Sequence, residues 1–222
     1  MQQDPHQRKA IVVREEIVLT GSEVVLVPLA LSHCSALERV ADEFAQKRSD
    51  YPFSFVPLTP AEVRSYVDTA LLQRGAGERY PFAVQWKGTV VGSTSYSTLE
   101  FWTWPEESAQ MRRRGPDAVE IGNTWYAPSA QRTRCNTESK FLLLRRAFDG
   151  WQVHRVMLKT DERNNRSRRA IERIGAKFEG IRRADMVGRD GTARDSAYYS
   201  IVAREWPEVR SGLEHMLAQH GR

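Results

Sequence analysis

The sequence predicts an α/β chain of the α+β kind, a mixed sheet flanked by helices. Three observations predict it. Residues 119–175 read as strand, polar turn, helix, strand, polar turn, helix. Tyr80–Trp86 and Thr89–Leu99 are two strand-like runs joined by Lys87-Gly88, a hairpin signal. After Gly175 a second pair of runs, Ala176–Val187 and Ser196–Ala203, flanks Gly188-Arg189-Asp190-Gly191, whose glycines suit the positive φ of a hairpin turn.

Taken in order, Met1 to about Glu16 is polar and reads as a flexible tail ahead of one domain spanning 17–222. Val24–Leu29 is the first strand, closed by its proline. Ser32 is placed to cap a helix running to about Arg48. Tyr51–Pro57 is an aromatic, Pro-rich loop, and Thr59-Pro60-Ala61-Glu62 is a helix start with a cap, a proline in the first position and a glutamate in the third. That helix ends near Gly75-Ala76-Gly77. Glu100–Asp117, with Phe101, Trp102 and Trp104, is long for a loop, so it is either a functional excursion or one pinned to the core by its aromatics.

Val119–Tyr126 is the next strand, and Ala127–Asn136 the turn after it. Phe141, Leu142, Leu144 and Phe148 recur at helical spacing, with Thr137 and Glu138 expected at the helix start. Val153–Thr160 is a strand, and 161–167 leads into a helix closing at Gly175. Glu205-Trp206-Pro207 opens a C-terminal helix. Two successive strands thus each deliver a polar turn at a helix N-terminus, where exposed N–H groups attract phosphates.

At 222 residues the length favours one domain with a core that needs no staples. An apolar content of 41%, with 6 Trp, 8 Phe and 7 Tyr, describes an ordinary folded chain. No run of about 18 apolar residues is present, so no membrane span is expected, and no apolar leader opens the chain, which suits the cytoplasm. Cys34 and Cys135 fit a reducing compartment and form no metal motif, so no metal is expected. The net charge of +5 suits a polyanionic small molecule as well as nucleic acid, and nucleic acid is disfavoured because no aromatic-basic binding motif accompanies it.

Gln131-Arg132-Thr133-Arg134-Cys135-Asn136, then Asn164-x-x-Ser167, Ala170-Ile171, Gly175-Ala176 and Phe178-Glu179-Gly180 resemble the acyl-CoA core of the GNAT superfamily of N-acyltransferases. With Asn136-Thr137-Glu138 through Arg145 and Ala147-Phe148, the resemblance is to the RimJ/RimL type and covers roughly Val24–Leu217. It implies a GNAT fold, a mixed sheet of about seven strands splayed between its fourth and fifth strands, here 119–126 and 153–160. It also implies acetyl-CoA as co-substrate and an amine acceptor, a protein N-terminus or a small molecule. A homodimer is left open. Arg134 and Asn136 stand where the family usually has small residues, and Ile171 where many members have a tyrosine that protonates the leaving thiolate.

By this resemblance Gln131, Arg132, Thr133, Arg134, Cys135, Asn136 and Thr137 would wrap the pyrophosphate with backbone amides and guanidinium charge. Asn123, Thr124, Trp125 and Tyr126 would pair with the pantetheine arm, a bulge there freeing N–H groups to polarise the thioester carbonyl. Asn164 would bind the coenzyme arm or cap its helix.

Direct attack needs a neutral amine. Deprotonating a lysine of pKa about 10.4 at neutral pH costs roughly 4.6 kcal/mol, but an α-amine near 7.8 only about 1.1 kcal/mol, so a water-mediated base suffices for the latter. Glu120 is the first candidate for that base, with Asp195 and Glu179 behind it; Ser167 is the candidate to donate or relay a proton to the thiolate. Cys135 has no partner histidine and is not expected to be a nucleophile, and neither His33 nor His154 recommends itself. Three other readings remain: transfer of a larger acyl group such as succinyl, an inactive acyl-CoA-binding module, and a basic nucleic-acid binder.

Overall fold

The computed structural model describes residues 5–46, 52–53 and 55–219. Helix α1 (Pro5–Arg14) precedes the short strand β1 (Leu19–Thr20) and β2 (Val24–Pro28). Helices α2 (Cys34–Ala45) and α3 (Pro60–Gly75) follow, then the hairpin β3 (Arg79–Trp86) and β4 (Thr89–Glu100). The central part is β5 (Ala118–Tyr126), α4 (Arg134–Arg145), β6 (Arg155–Asp161) and α5 (Asn165–Arg173). Strands β7 (Lys177–Val187) and β8 (Ala193–Val202) and helix α6 (Trp206–Gln219) complete the described residues.

The strands form one mixed sheet of 8, in the order β1-β2-β3-β4-β5-β6-β8-β7. The count exceeds the expected seven or so because Leu19–Thr20 pairs with β2. All neighbours are antiparallel except β5 and β6, which run parallel. That parallel pairing is short: Ala118, Val119 and Glu120 face Arg155, Val156 and Met157, and beyond Glu120 the strands share no register. The sheet is forked there.

Helices cover both faces. On β4, Ser93 accepts a hydrogen bond from Tyr66 of α3 at 2.9 Å, whereas Tyr96 donates to the Leu143 carbonyl of α4 at 2.6 Å. Ser93 and Tyr96 are an odd number of positions apart, so α3 and α4 lie on opposite faces. The core between these layers holds Tyr80, Phe82, Tyr96 and Tyr199, all fully buried.

Local signals act as expected in several places. Thr59 Oγ1 accepts from Glu62 N at 3.2 Å and Glu62 returns a bond to Leu58 N at 2.6 Å, so α3 starts on a reciprocal cap. Lys87 and Gly88 both take positive φ, 50° and 81°, closing a tight hairpin.

Other expectations are displaced. Ser32 does not cap α2; it lies in a 3-10 turn, and the His33 ring accepts from Ala30 N at 3.0 Å instead. Helix α4 begins at Arg134, ahead of Thr137 and Glu138, because Thr133 provides an earlier cap for Cys135 N at 3.1 Å. The expected end of α2 near Arg48 and the start of the aromatic loop at Tyr51 lie outside the described residues.

Residues expected as a flexible tail include helix α1, held by a buried charge. Asp117 is fully buried and pairs with Arg8 at 3.1 Å and Arg113 at 3.4 Å. A carboxylate out of water needs such partners. The same Asp117 accepts from Trp102 N at 2.8 Å and Trp104 Nε1 at 2.9 Å, and Trp102 stacks on His154 at 5.5 Å. The long segment after β4 is therefore pinned by its aromatics.

Candidate functional site

The fork is built by the sequence of β5. Ser93 faces Trp125 but Ser95 faces Gly122, so β5 carries one extra residue, a bulge, at Asn123–Thr124. Asn123 takes the left-handed φ of 50° that asparagine tolerates better than most residues. Past the bulge, Gly92 packs so closely that a Cβ there would stand 2.1 Å from the Trp125 carbonyl oxygen, with φ at 156°. The strand edge from Ile121 onward thus faces the fork with its pairing to β6 already ended.

Because β5 and β6 are parallel, the turns after them emerge at the same edge of the sheet, on the two sides of the fork. The first turn ends at α4. Thr133 Oγ1 donates to the Ala130 carbonyl at 2.7 Å while accepting from Cys135 N, and Gln131 Nε2 donates to the Tyr126 carbonyl at 2.9 Å. Arg132 takes φ 59° and leaves its side chain exposed. These bonds fix the turn at the positive end of α4, where the N–H groups of Gln131 and Cys135 are taken by the Pro128 carbonyl and Thr133 Oγ1. Arg134, which stands where the family usually has a small residue, is helical; its guanidinium donates to the Leu217 carbonyl at 2.6 Å, near the end of α6. Its charge serves α6 rather than the turn. Asn136 and Thr137 lie within the first turn of α4, and Thr137 Oγ1 accepts from Arg173 of α5 at 3.2 Å.

The second turn ends at α5. Asn164 is its cap, accepting from Ser167 N at 3.0 Å. The Ser167 side chain is half-buried, and no hydrogen bond to its hydroxyl occurs among the described residues. Ile171 is buried, so the tyrosine of other family members has an apolar replacement here.

Glu120 is the last residue of β5 to pair with β6, at the apex of the fork. It faces Ser97, on the side of the sheet covered by α3. Its side chain is 11% exposed and lies 3.7 Å from Lys159 Nζ. Burial raises its pKa, opposed by the Lys159 ammonium, so it is a carboxylate poised to hold a proton. The other candidate bases have structural partners: Glu179 accepts from Ser200 Oγ at 2.5 Å, and Asp195 accepts from Ala184 N at 2.7 Å. Cys135 is buried, and burial pushes its thiol up to about 12, which leaves no thiolate nucleophile. His154 belongs to the Asp117 clasp, away from the fork.

Three charged residues escaped sequence reasoning. Lys159 lies between Glu120 and Asp185, 3.7 Å from each. Asp185 is aimed there by a bulge in β7 at Ala184, φ 48°, and accepts from Tyr198 Oη at 2.9 Å. Lys140 of α4 is buried at 7% exposure and donates to Thr124 Oγ1 at 2.8 Å. Its one available signal was spacing: it falls with Thr137, Phe141 and Leu144 on the inward stripe of α4.

The family model of the acetyltransferase (GNAT) domain matches residues 23–177. The chain belongs to the GNAT acetyltransferases. No curated protein matches it. Among solved structures, this GNAT chain is similar to a GCN5-related N-acetyltransferase from Brucella melitensis, with 30% identity over 90% of this chain and 85% of that one and a TM-score of 0.73. It is similar to a protein from T. thermophilus described as an acetyltransferase, with 33% identity over 90% and 96% of the two chains and a TM-score of 0.70. Mycobacterium smegmatis RimJ, solved with CoA-disulfide, shares the fold at 21% identity, covering 92% of each chain with a TM-score of 0.69. The RimJ/RimL likeness read from residues is thus met at the level of fold. Among the described residues no helix is long and apolar enough to cross a membrane, and no cluster of His, Cys, Asp and Glu is fit to hold a metal.

Proposed function

We propose that this GNAT chain transfers an acetyl group from acetyl-CoA to a primary amine, on a protein N-terminus or a small molecule, by direct attack in a ternary complex. The observation that carries this is the position of Glu120. A buried carboxylate of raised pKa stands at the apex of a fork whose two rims end in helix N-termini. The main-chain N–H groups of Thr133, Arg134 and Asn136 supply donors for a pyrophosphate, with the Gln131 and Arg132 side chains beside them, while Thr133 Oγ1 takes that of Cys135. The unpaired edge of β5 from Asn123 to Tyr126 takes the peptide-like pantetheine as an added strand, and N–H groups freed by the bulge polarise the thioester carbonyl.

Glu120 accepts the proton of the attacking amine, directly or through one water. A carboxyl of raised pKa is a stronger base than an exposed one, and an α-amine asks little of it. Asn164 and Ser167 line the other rim, where the Ser167 hydroxyl relays a proton. A serine hydroxyl is a much weaker acid than a thiol, so it passes a proton on rather than supplying one.

Thermal shift against acetyl-, succinyl- and longer acyl-CoAs, followed by thiol release with a panel of primary amines, tests this function. Stabilisation by acetyl-CoA and release with an α-amine is the expected result. Stabilisation without release from any amine identifies a binding module, and a preference for succinyl-CoA replaces the acyl group.

A further inference from the structure

Lys140 is a buried ammonium with one hydrogen-bond acceptor. Its Nζ donates to Thr124 Oγ1 at 2.8 Å, and Thr124 Oγ1 lies 2.7 Å from Thr94 Oγ1. Thr94 stands one residue from Ser93 on β4, and so shares the α4 face with Tyr96. Lys140 thus approaches the fork from the face opposite Glu120, at the bulge where β5 has left β6. No carboxylate pairs with it among the described residues. Glu138, two residues back on α4, turns instead to the backbone N–H groups of Ser22 and Glu23. Cys135 is neutral, and Arg173 of α5 reaches only Thr137, one turn away. Glu120, across the fork, is the charge that acts on it, and burial brings its pKa down to about 7. A lysine kept dry and unpaired is costly to maintain, and such cost is usual where a group has chemistry to do.

We propose that Lys140 is a catalytic group of the transfer, delivering a proton from its ammonium to the departing coenzyme A thiolate at the floor of the fork. This rests on the function proposed above, in which the thioester lies along β5 beside Thr124. The neutral amine adds to the thioester carbonyl carbon, forming the C–N bond. The C–S bond then breaks, and its electron pair leaves on sulfur. The amine's surplus proton goes to Glu120, and the thiolate takes a proton from Lys140. Glu120 and Lys140 are left as acid and neutral amine, and solvent exchange returns the proton from one to the other. No oxidant or further reactant enters. The position that carries a tyrosine in many family members is Ile171 on α5 here, and Lys140 of the neighbouring helix α4 does that work.

The test needs no acceptor. The thiolate absorbance of coenzyme A is titrated against pH, free and bound to the protein, and again bound to Lys140→Met. An ammonium facing the sulfur lowers the bound thiol's pKa in the wild type by about one unit or more, a tenfold change, and Lys140→Met abolishes the shift. An unshifted thiol in the wild-type complex overturns the proposal without any variant. An equal shift in both proteins overturns it too. Turnover with acetyl-CoA and the best amine is the second readout: kcat falls in Lys140→Met while KM for acetyl-CoA stays within about twofold. Recovery of Nε-acetyl-Lys140 by mass spectrometry makes the lysine an acceptor and overturns its role as an acid. Failure of the wild type to bind coenzyme A removes the function itself, whereas binding with an unshifted thiol removes only the role of Lys140.

Discussion

Lys159 Nζ lies 3.7 Å from the Glu120 carboxylate and, at the same distance, from Asp185. One ammonium therefore tunes the carboxyl at the apex of the fork: burial raises the Glu120 pKa and Lys159 lowers it. Both stand on the sheet face covered by α3. Removing the ammonium takes away the largest effect opposing burial and leaves only the weaker pull of Arg194. Lys159→Met is expected to move the acidic limb of kcat to higher pH, because a more basic Glu120 stays protonated further up the scale. Glu120→Gln removes that limb and lowers kcat by about 10²–10⁴-fold with coenzyme A affinity nearly kept. The pH profile of thiol release, with calorimetry for coenzyme A, checks both; an unmoved limb in Lys159→Met removes Glu120 from the chemistry.

Lys140 bears on stability with a sign of its own. Its folded pKa, about 7, lies below the ordinary 10.5. Between those values the unfolded chain binds more protons, so the stability of the wild type rises with pH across that window. Lys140→Met has no such penalty. It is expected to melt higher than the wild type at neutral pH, by several degrees, with the gap closing as pH rises towards 10.5. Differential scanning calorimetry at neutral and alkaline pH gives the comparison.

How much of this was legible depends on range. The cap at Thr59, the hairpin at Lys87-Gly88 and the cap at Asn164 are settled within four residues of themselves, and the sequence reads them correctly. The place of Glu120 on the strand before the fork came from the resemblance to the GNAT core, since its pairing with Met157 is long-range. The start of α4 was read late because Thr137 and Glu138 are good starting residues, but Thr133 comes earlier and caps first. Long-range relationships were not legible. Nothing near Arg8 announces a buried carboxylate at Asp117, and nothing near Ala184 announces the bulge that aims Asp185 at Lys159. Lys140 falls on the inward stripe of α4 by spacing, but what it faces there depends on the fork in the sheet above it.

Gly92 is where the bulge is locked. A side chain there meets the Trp125 carbonyl oxygen at 2.1 Å and sits at a φ that other residues resist. Gly92→Ala is expected to cost about 2–3 kcal/mol in urea unfolding and to weaken coenzyme A binding more than the stability loss explains. Normal affinity in a destabilised protein would separate the bulge from the coenzyme site.

Arg8 and Asp117 tie α1 beneath the start of β5. Side-chain exposures of 3% and 0% mean that Arg8→Met leaves a buried carboxylate with Arg113 as its remaining cation. A loss of about 3 kcal/mol is expected in urea unfolding, because a stranded buried charge is costly. A loss under about 1 kcal/mol would put this pair among ordinary surface contacts.

Hydrogen–deuterium exchange with and without acetyl-CoA tests the central claim most directly, because it asks where the main chain is engaged. The account predicts slowed exchange at two segments together, 121–126 along the fork and 133–136 at the head of α4. Protection elsewhere in the chain, with both segments exchanging as in the free protein, contradicts it.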